Sequence, residues 1–122
     1  MESRKDIARA YKERQRPAGI LQVRNTVNGK VLLGSSLNLE GPLNAHKFML
    51  TTGRHRNERL QREWNEYGAD QFVFEVLEVV RVGDGPDFNL SDELTLLEQI
   101  WLEKLQPVGE RGYNADARIR HP

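Results

Sequence analysis

One carboxylate in the sequence stands where a carboxylate is costly. Glu98 falls inside the apolar arc of a predicted helix, close to Leu94, Leu97 and Trp101 at 100° per residue. A charged group in a buried stripe is expensive unless it is paired or coordinates a cation. Glu98 is therefore a candidate metal ligand. The alternative is a buried glutamate bonded to a backbone N–H or to a neighbouring arginine.

A histidine on a second predicted helix is the other candidate for chemistry. Leu43, His46 and Leu50 share a face of that helix, so His46 borders its apolar side. An imidazole with an ordinary pKa of about 6.5 can act as base or acid near neutrality. The alternative is that His46 is a packing residue at the edge of the core.

A hairpin precedes this helix and must position it. Extended runs over residues 18–24 and 30–34 predict two antiparallel strands, and Asn28-Gly29 between them is the pair that a tight primed turn prefers. Pro42 is acceptable only in a first helical turn, so the helix is predicted to start near Gly41.

The rest of the chain predicts one more strand and two more helices. Residues 56–67 form a helix that Gly68 ends, and Ser91 caps a last helix that ends before Pro107. The run 72–79 is apolar on both alternating faces, which favours a strand in the centre of the sheet. The segment 83–86 is predicted to be the most mobile internal loop.

These elements together predict an α+β fold. Its sheet is small, three-stranded and mainly antiparallel, and helices are expected to pack on both faces. A chain of 122 residues suits a single domain, 1–122. Within it, residues 1–16 form an N-terminal basic helical extension, with a helix over 3–15, and residues 118–122 form a frayed tail.

Composition favours a soluble protein of a reducing compartment. The sequence contains no cysteine and no apolar run long enough to cross a membrane, so a cytoplasmic location is expected. The net charge of zero hides a split, since residues 1–62 carry 13 Lys and Arg against 5 Asp and Glu, a net +8, balanced by −8 in the remainder. A basic half suits a phosphate backbone. The alternative is an ordinary solvated surface whose two halves attract each other.

Several segments, taken in order, resemble a known family. They include Gly19-Ile20, NTVNGKV from Asn25, Gly34-Ser35-Ser36, HKFMLTTGRHRNERLQREWNEYG, FVFEVLE, LLEQIWLEKLQP and GYNADA. Their order and spacing resemble the GIY-YIG nucleases, especially the homing-endonuclease and phage-like members, over nearly the whole chain after Arg16. The resemblance implies the fold described above and a metal-dependent phosphodiester hydrolase as ancestor.

The resemblance also implies roles for individual residues. Glu98 matches the single glutamate that ligates a divalent metal, Mg2+ or Mn2+, and one carboxylate with waters and phosphate oxygens suffices for such a cation. His46, His55 and Asn114 match further site positions. Gly19 and Gly34, with Leu21 and Leu32, are expected to shape the site.

Three departures from the family pattern predict weak or absent cleavage. The two signature tyrosines are replaced by Leu21 and Leu32, and the helix arginine by Pro42. Loss of a general base typically costs about 10²–10⁴ in rate, and loss of a charge stabiliser about 10²–10³. The ordinary family reaction should therefore be nearly absent.

Three functions remain open from the sequence. The first is nucleic-acid binding without cleavage, with DNA favoured over RNA. The second is a nuclease rebuilt around Glu98 and His46, with metal-bound hydroxide as nucleophile. The third is a structural or protein-interaction domain. The residues expected to contact nucleic acid are Lys47, Arg54, His55, Arg56, Arg59 and Arg62.

Overall fold

The computed structural model describes residues 17–80 and 87–115. The predicted N-terminal helix over 3–15, the loop 83–86 and the tail 118–122 lie outside these residues.

Three strands form one antiparallel sheet, as the sequence predicts. They are β1 (Gly19–Asn25), β2 (Val31–Ser36) and β3 (Phe72–Val79), in the order β2-β1-β3. The central position predicted for β3 is wrong, because β1 has a partner on each side and β3 is an edge strand. As an edge strand β3 is also only partly covered, since Val76 is 44% and Val79 52% exposed. The apolar run therefore fixes neither the lateral position of β3 nor its burial.

The connection between β1 and β2 does not form the predicted tight primed turn. It spans residues 26–30, and Gly29 has a φ of 78° while Asn28 keeps a negative φ. A type I′ turn needs positive φ at both central residues. Instead, Asn25 Oδ1 accepts from the Val27 N–H and Asn28 Oδ1 from the Lys30 N–H. These local bonds stabilise a wider loop, so the predicted two-residue turn is wrong.

The described residues form three α-helices, two between β2 and β3 and one after β3. They are α1 (Glu40–Thr51), α2 (Glu58–Tyr67) and α3 (Leu90–Leu105). α1 starts one residue before the predicted Gly41, and Pro42 lies in its first turn. None of these helices is both long and apolar enough to cross a membrane.

Two asparagines cap the later helices. Asn57 Oδ1 accepts from the Leu60 N–H at the start of α2, and Asn89 Oδ1 accepts from the Asp92 N–H at the start of α3. The predicted Ser91 cap is wrong, because Ser91 already lies within α3. Asn89 has the extended backbone that a capping residue needs.

Each face of the sheet has its own core. On one face α1 and α2 pack over Val23, and on the other α3 packs over Ile20 and Leu33. Phe74 and Leu77 of β3 pack against the first and the second core respectively. This arrangement confirms the prediction of helices on both faces. The first core contains Val23, Leu50, Leu60, Trp64, Phe72 and Tyr113.

Candidate functional site

The two signature glycines meet the sheet in different ways. At Gly19 a Cβ would overlap the carbonyl of Glu78 on β3, beside a register shift at Ile20 and Leu21. At Gly34 a Cβ would meet only Leu21 Cδ1, at 3.7 Å, which is an ordinary contact. Gly19 is therefore required by the close approach of β1 and β3, and Gly34 is not required in that sense.

Leu21 and Leu32 occupy the two positions that the resemblance assigns to the family's tyrosines. Leu21 pairs with Gly34 across the strands and is 2% exposed, and Leu32 pairs with Val23 and packs partly buried against the first core. Both side chains lie on the sheet face that α1 and α2 cover. Leucine can neither accept a proton nor donate a hydrogen bond.

Glu98 is half-buried on α3, on the opposite face of the sheet. Ser35 of β2 donates its Oγ–H to Glu98 Oε1 at 2.9 Å. This partner is neither the backbone N–H nor the arginine expected as alternatives. Ser35 lies two residues after Leu33 in β2 and so faces the same side of the sheet. Which residue of α3 it contacts depends on how that helix packs, and the sequence does not predict it.

The donor set suits a hard cation bound mainly by water and substrate. Within residues 17–80 and 87–115, no group of three or more His, Cys, Asp or Glu side chains could hold a metal ion. Glu98 thus belongs to no such group, and the Ser35 hydroxyl orients it through Oε1. Mg2+ accepts one carboxylate when waters and phosphate oxygens complete its shell. His46 lies on a helix of the other face.

The two matched histidines are in direct contact, which the sequence did not predict. His46 of α1 and His55 of the loop before α2 place Nδ1 and Nε2 2.8 Å apart. Their rings stack with centroids 5.1 Å apart and planes at 19°. Burial lowers the pKa of both imidazoles, with the Arg56 charge adding to it, and the pKa of His55 falls to about 4. The contact depends on how the chain turns between α1 and α2. The spacing of apolar residues along the sequence does not predict that turn.

Buried amides hold the histidine loop in place. Gln61 of α2 accepts from the His55 N–H at 3.0 Å and donates to the Leu50 carbonyl at 3.1 Å. Asn57 donates its backbone N–H to His55 Nδ1 at 3.0 Å and its side-chain amide to the Tyr113 carbonyl at 2.7 Å. The loop is therefore fixed to α1, to α2 and to the C-terminal segment.

Asn114 completes the outer edge of β2. Its Oδ1 accepts from the Leu33 N–H at 2.8 Å and its Nδ2 donates to the Leu33 carbonyl at 2.9 Å, while the Tyr113 N–H donates to the Val31 carbonyl. The side-chain amide acts as a short substitute for a fourth strand. Asn114 thus shapes the sheet beside Gly34.

The predicted basic residues divide into an exposed group and an anchored one. Arg59 donates to the Gly109 carbonyl at 2.6 Å and lies over the Tyr113 ring, 6.0 Å from its centroid. His55 is 9% exposed and is occupied by the contacts above. The exposed members form what we call the basic surface: Lys47, Arg54, Arg56 and Arg62.

Comparison with known proteins identifies relatives of the whole described fold. No protein-family model matches the chain. The chain is 33% identical over 101 residues to intron-associated endonuclease 1 of Enterobacteria phage T4. The aligned region covers 82% of this chain and 38% of that protein. The chain therefore spans well under half the length of this relative.

Two solved structures share the fold. The catalytic domain of homing endonuclease I-TevI superposes with a TM-score of 0.65 at 32% identity, covering 81% of this chain and 99% of that domain. A glutamate-to-alanine variant of the catalytic domain of intron endonuclease I-TevI gives a TM-score of 0.63 at 30% identity, covering 80% and 92%. With identity at this level over almost an entire catalytic domain of the same fold, the chain belongs to the GIY-YIG nuclease family.

Proposed function

We propose that this chain is a degenerate GIY-YIG domain that binds DNA, in preference to RNA, and cleaves it slowly or not at all. The observation that carries the proposal is Leu21. The resemblance assigns Leu21 to the position of the first signature tyrosine, and its hydrocarbon side chain is only 2% exposed. No water can be deprotonated or oriented by that side chain.

The remaining departures deepen the catalytic deficit. Leu32 is a second hydrocarbon on the same face, and Pro42 supplies no cation in the first turn of α1. A general base is typically worth about 10²–10⁴ in rate, and one charge stabiliser about 10²–10³. Such losses are not additive within a site. A combined deficit of several orders of magnitude is expected.

The basic surface supports nucleic-acid binding. Arg54, Arg56 and Arg62 are exposed on α2 and on the loop that precedes it. Lysine and arginine that neutralise phosphates release counterions, and this supplies affinity without reading bases. The relatives are endonucleases, which supports a nucleic-acid partner.

A second candidate function is a residual metal-dependent nuclease, and the Ser35–Glu98 contact favours it. The hydroxyl donates to Oε1 of a half-buried carboxylate, and Oε2 would be the oxygen that binds a cation. Mg2+ or Mn2+ held there would act as a Lewis acid on a phosphate oxygen. Glu98 would hold the ion, and Ser35 would orient Glu98.

One experiment separates these functions. The full chain is incubated with single- and double-stranded DNA and RNA, with and without Mg2+ or Mn2+, and each lane is scored both for a mobility shift and for cleavage. The degenerate domain should shift duplex DNA and leave it intact. Robust cleavage that Glu98→Ala abolishes would establish the metal-dependent nuclease instead. No shift of any nucleic acid would leave the structural or interaction domain.

A further inference from the structure

Three polar groups form a directed chain at the corner between α1 and α2. The backbone N–H of Asn57 donates to His55 Nδ1 at 3.0 Å. His55 Nε2 then lies 2.8 Å from His46 Nδ1. The first bond is unambiguous, because a backbone N–H can only donate.

This direction determines where each imidazole proton lies. A nitrogen that accepts a hydrogen bond carries no proton, so neutral His55 must be protonated at Nε2. That Nε2–H can only donate to His46 Nδ1, which leaves the proton of neutral His46 on its own Nε2. The tautomers of both histidines therefore follow from one backbone amide.

We infer that His55 is a positioning residue that fixes His46 in its Nε2–H tautomer, so that His46 offers a hydrogen-bond donor to a phosphate oxygen of bound DNA. The part of this inference that concerns DNA rests on the proposed function. The tautomer itself is a property of the free chain. His46 is half-buried on α1, whereas His55 is nearly fully buried.

The neutral form of the pair is favoured for three reasons. Burial and the nearby Arg56 guanidinium oppose a positive charge on either ring. In addition, Nδ1 of each histidine already accepts a hydrogen bond. A further proton on either ring would therefore break one of the two contacts.

The same arrangement opposes a role for His46 as general base. To accept a proton from water, Nε2 of His46 would need a free lone pair, and its proton would have to move to Nδ1. His55 Nε2–H then loses its acceptor, unless His55 moves its own proton to Nδ1 and loses the bond from Asn57. A neutral donor toward phosphate needs no such rearrangement.

The direct test is long-range ¹H–¹⁵N correlation NMR of the full chain with ¹⁵N-labelled histidine at neutral pH. His46→Gln and His55→Gln spectra assign the signals. His46 should show a protonated, pyrrole-type Nε2 and an unprotonated, pyridine-type Nδ1, and His55 the same pattern. A protonated Nδ1 on His46, or two nitrogens averaged by exchange between tautomers, would overturn the inference.

Two substitutions at position 55 test positioning. His55→Gln offers both an acceptor and a donor, and should keep the Nε2–H signature of His46. His55→Phe offers neither, and should release His46 to the averaged signals of a free imidazole. A single Nε2–H tautomer that persists in His55→Phe would show that His55 does not set it. If His55→Phe does not fold, the wild-type spectrum still decides the tautomer of His46.

The role toward DNA is tested separately by duplex binding. His46→Leu removes the donor and should weaken binding roughly tenfold, as expected for a lost hydrogen bond to a charged group. His46→Gln keeps an amide donor and should lose less, about threefold or below. Equal losses in the two variants would overturn the donor role. If the wild-type chain binds no DNA, the proposed function fails, and the NMR signature decides the tautomer independently.

Discussion

At Gly19 the backbones of β1 and β3 are too close for any side chain. Because an added Cβ would overlap the Glu78 carbonyl, and strand backbones cannot move aside cheaply, Gly19→Ala should lower the free energy of unfolding by about 1–3 kcal/mol. Gly34→Ala is the matched control in β2, and its Cβ would make only an ordinary contact with Leu21. It should change stability by less than about 1 kcal/mol. Equal losses in denaturant unfolding would contradict the close-approach role of Gly19.

The histidine pair makes stability depend on pH in a defined window. The pKa of His55 is lowered to about 4 by burial, with His46 and Arg56 contributing. An unfolded histidine has a pKa of about 6.5, so between these values the unfolded chain binds more protons than the folded chain. The contribution of neutral His55 to the free energy of unfolding should be fully present above pH 6.5, and should fall as the pH drops toward 4.

Thermal unfolding between pH 7 and pH 5 measures this effect. The midpoint of the wild-type chain should fall across the window. The double variant His46→Gln, His55→Gln should show a flatter profile, because glutamine does not titrate. A wild-type midpoint that stays constant from pH 7 to pH 5 would contradict a neutral buried pair.

At the scale of elements, the order of strands and helices could be predicted from periodicity, proline and glycine. The lateral position of β3 could not, because an apolar run occurs both in a central strand and in this partly exposed edge strand. The shape of the β1–β2 loop could not either, because the side chains of Asn25 and Asn28 bind the local backbone. Periodicity singles out Glu98 and His46 as candidates, and the resemblance adds His55 and Asn114. The His46–His55 and Ser35–Glu98 contacts could not be predicted, because they depend on tertiary packing.

One glutamate joins the β1–β2 loop to α2 and to the C-terminal segment. Glu63 Oε1 accepts from Asn28 Nδ2 at 2.7 Å, from Tyr113 Oη at 2.7 Å and from Asn25 Nδ2 at 3.2 Å. Lys30 Nζ lies 3.3 Å from Oε2. Removing the Glu63 carboxylate deprives the buried Tyr113 hydroxyl and the buried Asn25 amide of this hydrogen-bond acceptor.

Glu63→Ala should therefore destabilise the chain by about 1–3 kcal/mol. Glu66→Ala on the exposed side of α2 is the matched control, and should stay within about 0.5 kcal/mol of the wild type. Both values come from chemical denaturation at pH 7. Similar free energies for the two variants would show that the Glu63 contacts do not hold the loop.

Acid should weaken the same junction. Burial raises the pKa of Glu63, but hydrogen bonds from Tyr113, Asn28 and Lys30 outweigh it, so the pKa lies below the ordinary value. The stabilisation is present above the ordinary carboxyl pKa of about 4.3, and is lost as the pH falls below it. Glu63→Gln should reduce the acid sensitivity in this range.

At the scale of the whole molecule, charge is divided between the two halves of the sequence. The net charge of zero comprises +8 in residues 1–62 and −8 in the remainder. The exposed arginines of the basic surface lie in the first half. A phosphate backbone would therefore meet these cations on α2 and on the loop that precedes it.

Replacing Arg54, Arg56 and Arg62 together by alanine should weaken DNA binding for all sequences about equally, since phosphate contacts carry no base information. The slope of log affinity against log salt should flatten by about 0.9 for each phosphate that the variant no longer neutralises. The control is the double variant Lys104→Ala, Arg111→Ala, which removes cations from the second half of the chain. It should leave the slope of the wild type unchanged.

The most direct test of binding without efficient cleavage is a salt titration of the wild-type chain on labelled duplex DNA with Mg2+ present, followed by a denaturing gel of the same samples. We expect affinity that falls linearly on a log–log scale as salt rises, with DNA that remains intact in every sample. Undetectable binding at low salt would contradict the account. So would rapid accumulation of cleaved DNA that Glu98→Ala abolishes.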